Sequence, residues 1–80
     1  DIRDQIRRVF DNLAAVAAAA GGTLDHAVKF NVYLTDLADF GAVNEVMAEY
    51  LQEPFPARAA VQVAALPKQA RVEVDAILRL

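Results

Sequence analysis

Arg58 is a candidate anchor for a small acid. It follows Phe55-Pro56-Ala57 and opens a strand-like stretch, so a conformationally restricted segment leads straight into the residue. A guanidinium is planar and can give one carboxylate two parallel hydrogen bonds, fixing the orientation of a guest as well as its charge. The alternative use of the same side chain is to shield a sheet edge or pair with Glu53. Glu73 and Asp75 lie two apart on one strand and therefore share a face. A carboxylate there can position or deprotonate a water; the alternative is a solvated strand face with Arg71 and Arg79 as neighbouring counter-charges. Asn44, between Val43 and Met47, sits at the margin of a helical stripe, where an amide can tie helix to loop.

Other candidates carry less. Glu45 and Glu49 are four apart, but no His stands at ligand spacing near them, so a solvated helix face is expected and no metal site. His26 beside Asp25 is either an Asp-His couple or a turn histidine without a chemical role. Gly21-Gly22 follows a helix, whereas a phosphate cradle precedes one. The chain has no Cys, Trp or Ser, which excludes thiol and serine nucleophiles, disulfides and Cys-bearing zinc sites.

These side chains need a frame. Ile6, Val9, Phe10, Leu13, Val16, Ala17 and Ala20 recur three and four apart, predicting an amphipathic helix over 2–20 that Gly21-Gly22 terminates. Val28, Phe30, Val32 and Leu34 alternate with more polar residues, predicting a strand over 28–35 with one face in the core. Asp36 and Asp39 can cap a second helix over about 39–51, marked by Phe40, Val43, Met47, Tyr50 and Leu51. Pro54 and Pro56 break the chain before a short strand over 58–64, and 72–80 alternates most clearly of all. The order α-β-α-β-β predicts an α+β fold in one domain, residues 1–80: a mixed sheet with two helices packed on one face and a right-handed strand-helix-strand crossover. Lys29, Asn31, Tyr33, Glu73, Asp75 and Ile77 would then occupy the uncovered face, a mixture suited to a wet interface.

Composition narrows the partners. Eight Lys and Arg against eleven Asp and Glu leave a net charge of −3, and the aromatic residues are not interleaved with basic ones, so nucleic acid is not an expected partner. The N-terminal residues lack the pattern of a signal peptide, and the longest apolar run, Leu13 to Ala20, is far below the roughly 20 residues of a membrane span, so a soluble cytoplasmic chain is expected. Of the 80 residues 17 are Ala, which favours helix but supplies little bulk; with no staple in so short a chain, association is the expected stabiliser.

The string Phe55-Pro56-Ala57-Arg58, then Leu66-Pro67-Lys68 and Val72-Glu73-Val74-Asp75-Ala76-Ile77, resembles the C-terminal half of the RidA/YjgF family. Asn12-Leu13 with Ala19-Ala20-Gly21, the stretch 28–34, Asp36-Leu37, Asp39-Phe40 and Val43-Asn44 agree with it upstream, so the match spans nearly the whole chain. The resemblance implies a chorismate-mutase-like fold of RidA type, a cytoplasmic homotrimer with ligand clefts between subunits, and hydrolysis of reactive enamines and imines to 2-keto acids and ammonia without metal or organic cofactor. It implies that Arg58 grips the substrate carboxylate, Glu73 positions the water, the segment around Ala60 offers backbone groups, and Asn44 helps shape the cleft. Ala60 stands where several members carry a cysteine, which a backbone role permits. The family also begins with strands bearing a Gly-Pro-Tyr motif and a Ser-Gly pair that line the cleft, so the resemblance implies a domain truncated at its N-terminus. Two other activities stand beside the deaminase: a non-enzymatic carboxylate-binding or chaperone-like module, and the ribonuclease or translation-inhibitor activity attached to some members, which the net charge disfavours.

Overall fold

A computed structural model describes all 80 residues. Helix α1 spans Ile2–Ala19, β1 Ala27–Leu34, α2 Phe40–Tyr50, β2 Ala57–Gln62 and β3 Val72–Leu78, with short 3-10 turns at Leu24–His26, Leu37–Asp39 and Pro67–Gln69. The Asp1 carboxylate caps α1 by accepting from the Arg3 N–H at 3.0 Å. At the other end Gly21 takes φ +88°, and the Gly21 and Gly22 N–H groups return to the carbonyls of Ala18 and Ala17 at 3.0 and 2.9 Å. This is a Schellman stop, which satisfies the last carbonyls of the helix.

The sheet order is β2-β1-β3, with β2 parallel and β3 antiparallel to the central β1. A parallel neighbour requires a crossover, and α2 supplies it. Phe30, Val32 and Leu34 are buried under both helices, in register with Arg58, Ala60 and Gln62 of β2 and with Ala76, Val74 and Val72 of β3. Ile6, Phe10 and Ala17 of α1 and Ala42, Val43, Val46 and Met47 of α2 close the core above them. Phe10 packs tilted on Phe30 at 5.8 Å and stacked on Tyr50 at 5.5 Å between ring centres. The expected α+β architecture with two helices on one face is thus the one observed.

The uncovered face pairs Lys29 with Ile77, Asn31 with Asp75 and Tyr33 with Glu73, as the alternation predicts. Three expectations need correction. Val28 is not a core residue: a bulge between Ala27 and Lys29 shifts the register, so Ala27 turns inward and Val28 is exposed. Asp36 caps the 3-10 turn by accepting from the Ala38 N–H at 3.0 Å, but Asp39 caps nothing, because its carboxylate pairs with Arg71 at 3.0 Å. On α1, Val16 is 66% exposed and Ala20 is exposed: Val16 lines an open cleft beside β3 instead of entering the core, and Ala20 lies at the helix end.

Charged side chains join the two helices. Arg3 meets Glu45 at 2.7 Å and Arg7 meets Glu49 at 3.1 Å, a ladder in which both partners step by four residues. The Glu45/Glu49 face is therefore committed to α1. Below it the Tyr50 hydroxyl donates to Asp11 at 2.6 Å, and this bond to a carboxylate, with burial second, pushes the phenol up to about 12. The folded value lies above the unfolded one near 10, so the contribution is whole below pH 10 and is lost as pH rises toward 12. Melting temperature measured across that window is expected to fall more steeply for the natural sequence than for Tyr50→Phe; equal slopes would contradict the bond.

Candidate functional site

Arg58 is the second residue of β2, opposite Phe30, so its side chain leaves the sheet on the helix-covered side. It is half-buried and does not run into bulk water. Its Nη1 donates to Asn44 Oδ1 on α2 and lies 3.7 Å from the Met47 sulfur, while the Phe55 ring sits against the guanidinium at 5.7 Å from its centre. No ion pair forms with Glu53. Helix α2 thus reaches down to orient a cation carried by an edge strand, and Nε and Nη2 are left without protein partners.

Ala60 stands one pleat along, half-buried and opposite Val32. The Val63 N–H donates to the Leu34 carbonyl at 2.8 Å, directed toward β1. Backbone groups alternate sides along a strand, so those of Val61 and Ala59 face β1, while the N–H and C=O of Ala60 face the free edge of β2. A cation and an unpaired amide therefore border the same strand edge. Gln62 fixes the far end of that strand, its Oε1 accepting from the Leu37 N–H at 2.9 Å.

Glu73 lies elsewhere. It is opposite Tyr33 on the uncovered face of β3, exposed, and borders a cleft of about 190 Å³ with Val9, Asn12, Leu13, Val16 and Val74. Strands β2 and β3 flank β1, about 9.6 Å apart, and Phe30 and Tyr33 are three residues, about 10 Å, apart along it. The Cα atoms of Arg58 and Glu73 are then roughly 14 Å apart, with side chains diverging to opposite faces. One small acid cannot touch both within one chain.

Asp75 has its own partners: its carboxylate accepts from Asn31 Nδ2 at 2.8 Å and from the Tyr33 hydroxyl at 3.1 Å. The expected counter-charges are not used, since Arg71 is held by Asp39 and Arg79 makes no ion pair. Tyr33 is held above the usual phenol range, first by its bond to Asp75 and then by that negative charge. His26 forms no couple with Asp25; its Nδ1 accepts from the Thr23 N–H at 2.9 Å and closes the turn before β1. No cluster of three or more His, Asp or Glu side chains converges on a common point, and no helix is long and apolar enough to cross a membrane.

Sequence reasoning missed Met47 and Phe55 as neighbours of Arg58. A signal existed: Met47 is three residues beyond Asn44, hence on the same helix face, and Phe55 is held between two prolines three residues before the arginine.

Comparison with known proteins places the family and the fold. Residues 1–79 match the model of the family described as endoribonuclease L-PSP. The chain is 47% identical over 77 residues to a 2-iminobutanoate/2-iminopropanoate deaminase of Dermatophagoides farinae, covering 96% of this chain and 60% of that protein. RidA from an Antarctic Psychrobacter species superposes with a TM-score of 0.91 at 57% identity, over 94% of this chain and 61% of that one. E. coli TdcF with bound serine does so with a TM-score of 0.88 at 39% identity, over 100% and 66%. The chain therefore spans about three fifths of the length of the curated relatives it matches.

With Tyr50 replaced by Phe, Tyr33 is the sole phenol, and its absorbance titration is expected above pH 10. Adding Asp75→Asn should bring the midpoint down toward 10; a midpoint that stays equally high contradicts the Tyr33–Asp75 bond.

Proposed function

The chain belongs to the endoribonuclease L-PSP family, the RidA/YjgF group its motifs resemble, and from that premise we propose that it forms the carboxylate-binding part of an enzyme hydrolysing 2-imino acids to 2-keto acids and ammonia. The observation that carries this reading is Arg58, oriented by Asn44 beside the free edge of β2 with Nε and Nη2 unpaired. Those two donors match the two oxygens of a carboxylate. The deaminase name of the D. farinae relative, and the amino acid bound in the E. coli one, are consistent with a guest of this kind.

In the proposed reaction Arg58 holds the acid and the Ala60 backbone receives the polar atoms beside it. Water attacks the carbon of the protonated imine, and Glu73 takes the proton the water gives up. Glu73 then returns that proton to the nitrogen of the adduct as the carbon–nitrogen bond breaks, the adduct's hydroxyl gives its own proton to Glu73 as the carbonyl of the keto acid forms, and ammonia leaves and takes up that last proton as ammonium. A positioned carboxylate typically contributes 10²- to 10⁴-fold to such a step. No nucleophilic side chain or cofactor enters the proposed step.

Because Arg58 and Glu73 leave opposite faces of one sheet, the proposal places the cleft between chains, with Arg58 from one subunit and Glu73 from its neighbour, most simply in a cytoplasmic homotrimer. The same separation supports a second reading, a carboxylate-binding module without turnover, for any state in which that neighbour is missing. Ribonuclease activity finds less support, because the net charge is −3 and Arg3, Arg7 and Arg71 are already paired with acids.

With 2-iminobutanoate generated enzymatically in the assay, Arg58→Ala is expected to abolish accelerated 2-ketobutyrate release without altering the oligomer. Glu73→Gln should lower turnover by about 100-fold or more while 2-ketobutyrate still binds. Unchanged release from Arg58→Ala sinks the proposal; binding in the natural protein with no turnover establishes the second reading.

A further inference from the structure

The guanidinium of Arg58 is held on more sides than carboxylate binding alone demands. An arginine can meet a carboxylate end-on, through Nη1 and Nη2, or side-on, through Nε and Nη2. Here Nη1 is occupied twice over, by Asn44 Oδ1 and by the Met47 sulfur at 3.7 Å. Met47 is 1% exposed and cannot swing away without opening the core. The ring of Phe55 lies 5.7 Å from the guanidinium carbon, within the range of a cation–π contact, yet Phe55 itself is 40% exposed. An exposed aromatic leaning on a half-buried cation covers one side of it and leaves its free donors uncovered.

We infer that Phe55 and Asn44 are positioning residues that withdraw Nη1 and one face of Arg58, so that the site takes a small carboxylate only side-on, through Nε and Nη2. This rests on the carboxylate-binding reading of the site and adds its binding mode. Phe55 never needs to touch the guest; it acts by removing rotational freedom that Arg58 would otherwise lose on binding, which is where preorganisation gains affinity. The segment Pro54-Phe55-Pro56 suits the task, because two fixed φ angles limit where the ring can go.

The test uses the intact oligomeric protein labelled with ¹⁵N. In the natural sequence the Arg58 Nε–H is expected as a resolved resonance, displaced by the Phe55 ring, with slow rotation about the Nε–Cζ bond. Phe55→Leu and Asn44→Ala should each speed that rotation and weaken 2-ketobutyrate binding about tenfold, and Phe55→Tyr, which keeps a ring, should restore both. A purely structural role would lower the melting temperature of Phe55→Leu without touching the arginine resonance. Free rotation of Arg58 in the natural protein, or Phe55→Leu that changes neither rotation nor affinity, overturns the inference. A rigid Arg58 in a protein that does not bind 2-ketobutyrate instead overturns the reading of the guest and leaves the clamp standing.

Discussion

Successive side chains of a strand point to opposite faces, and in a three-stranded sheet with both helices on one side that rule assigns every polar group to one of two environments. Residues in register with Phe30, Val32 and Leu34 lie beneath helices; those in register with Lys29, Asn31 and Tyr33 do not. Arg58 belongs to the first set, at the edge where α2 can reach it. Glu73 belongs to the second, at the other edge. The parity of a few residues along β1 thus decides that a cation and a carboxylate of this chain cannot share a small guest without a further chain between or beside them. Association is thereby a chemical requirement of the proposed reaction.

The core and the site are joined through α2. Val43, Val46 and Met47 anchor this helix over β1, and on the same helix Asn44 grips the arginine. The ladder Arg3–Glu45 and Arg7–Glu49 sets how α2 lies along α1, so exposed ion pairs worth little to stability still help fix where the Asn44 amide points. On the uncovered face, Asp75 draws in Asn31 and Tyr33 and leaves Glu73 without a hydrogen-bonding partner, beside a cleft whose walls are mainly apolar.

Much of this was legible in the sequence because it follows from periodicity. The stripe Ile6, Phe10, Ala17 and the alternation Phe30, Val32, Leu34 name the buried faces directly, and Gly21-Gly22 marks where α1 must stop. Alternation also separates odd from even positions on β3, so the company of Glu73 and Asp75 on an open face was readable. What it could not carry was pairing at long range. The bulge that expels Val28 depends on how β3 docks against β1, and no local pattern records it. Asp39 reads as a cap until Arg71, distant in sequence, takes it. Likewise the neighbours of Arg58 come from another element, and the sign of its face relative to Glu73 requires the register of two different pairings.

The most direct test of the shared site is complementation between two defective chains. Arg58→Ala and Glu73→Gln subunits, each inactive alone, are co-expressed so that they mix within one oligomer, and release of 2-ketobutyrate is measured against the natural protein. If the two residues come from different chains, random mixing rebuilds sites with both intact and returns about a quarter of the natural activity. If the mixed oligomers remain as inactive as their parents, the arginine and the glutamate serve within one chain, and the account given by the sheet's two faces is wrong.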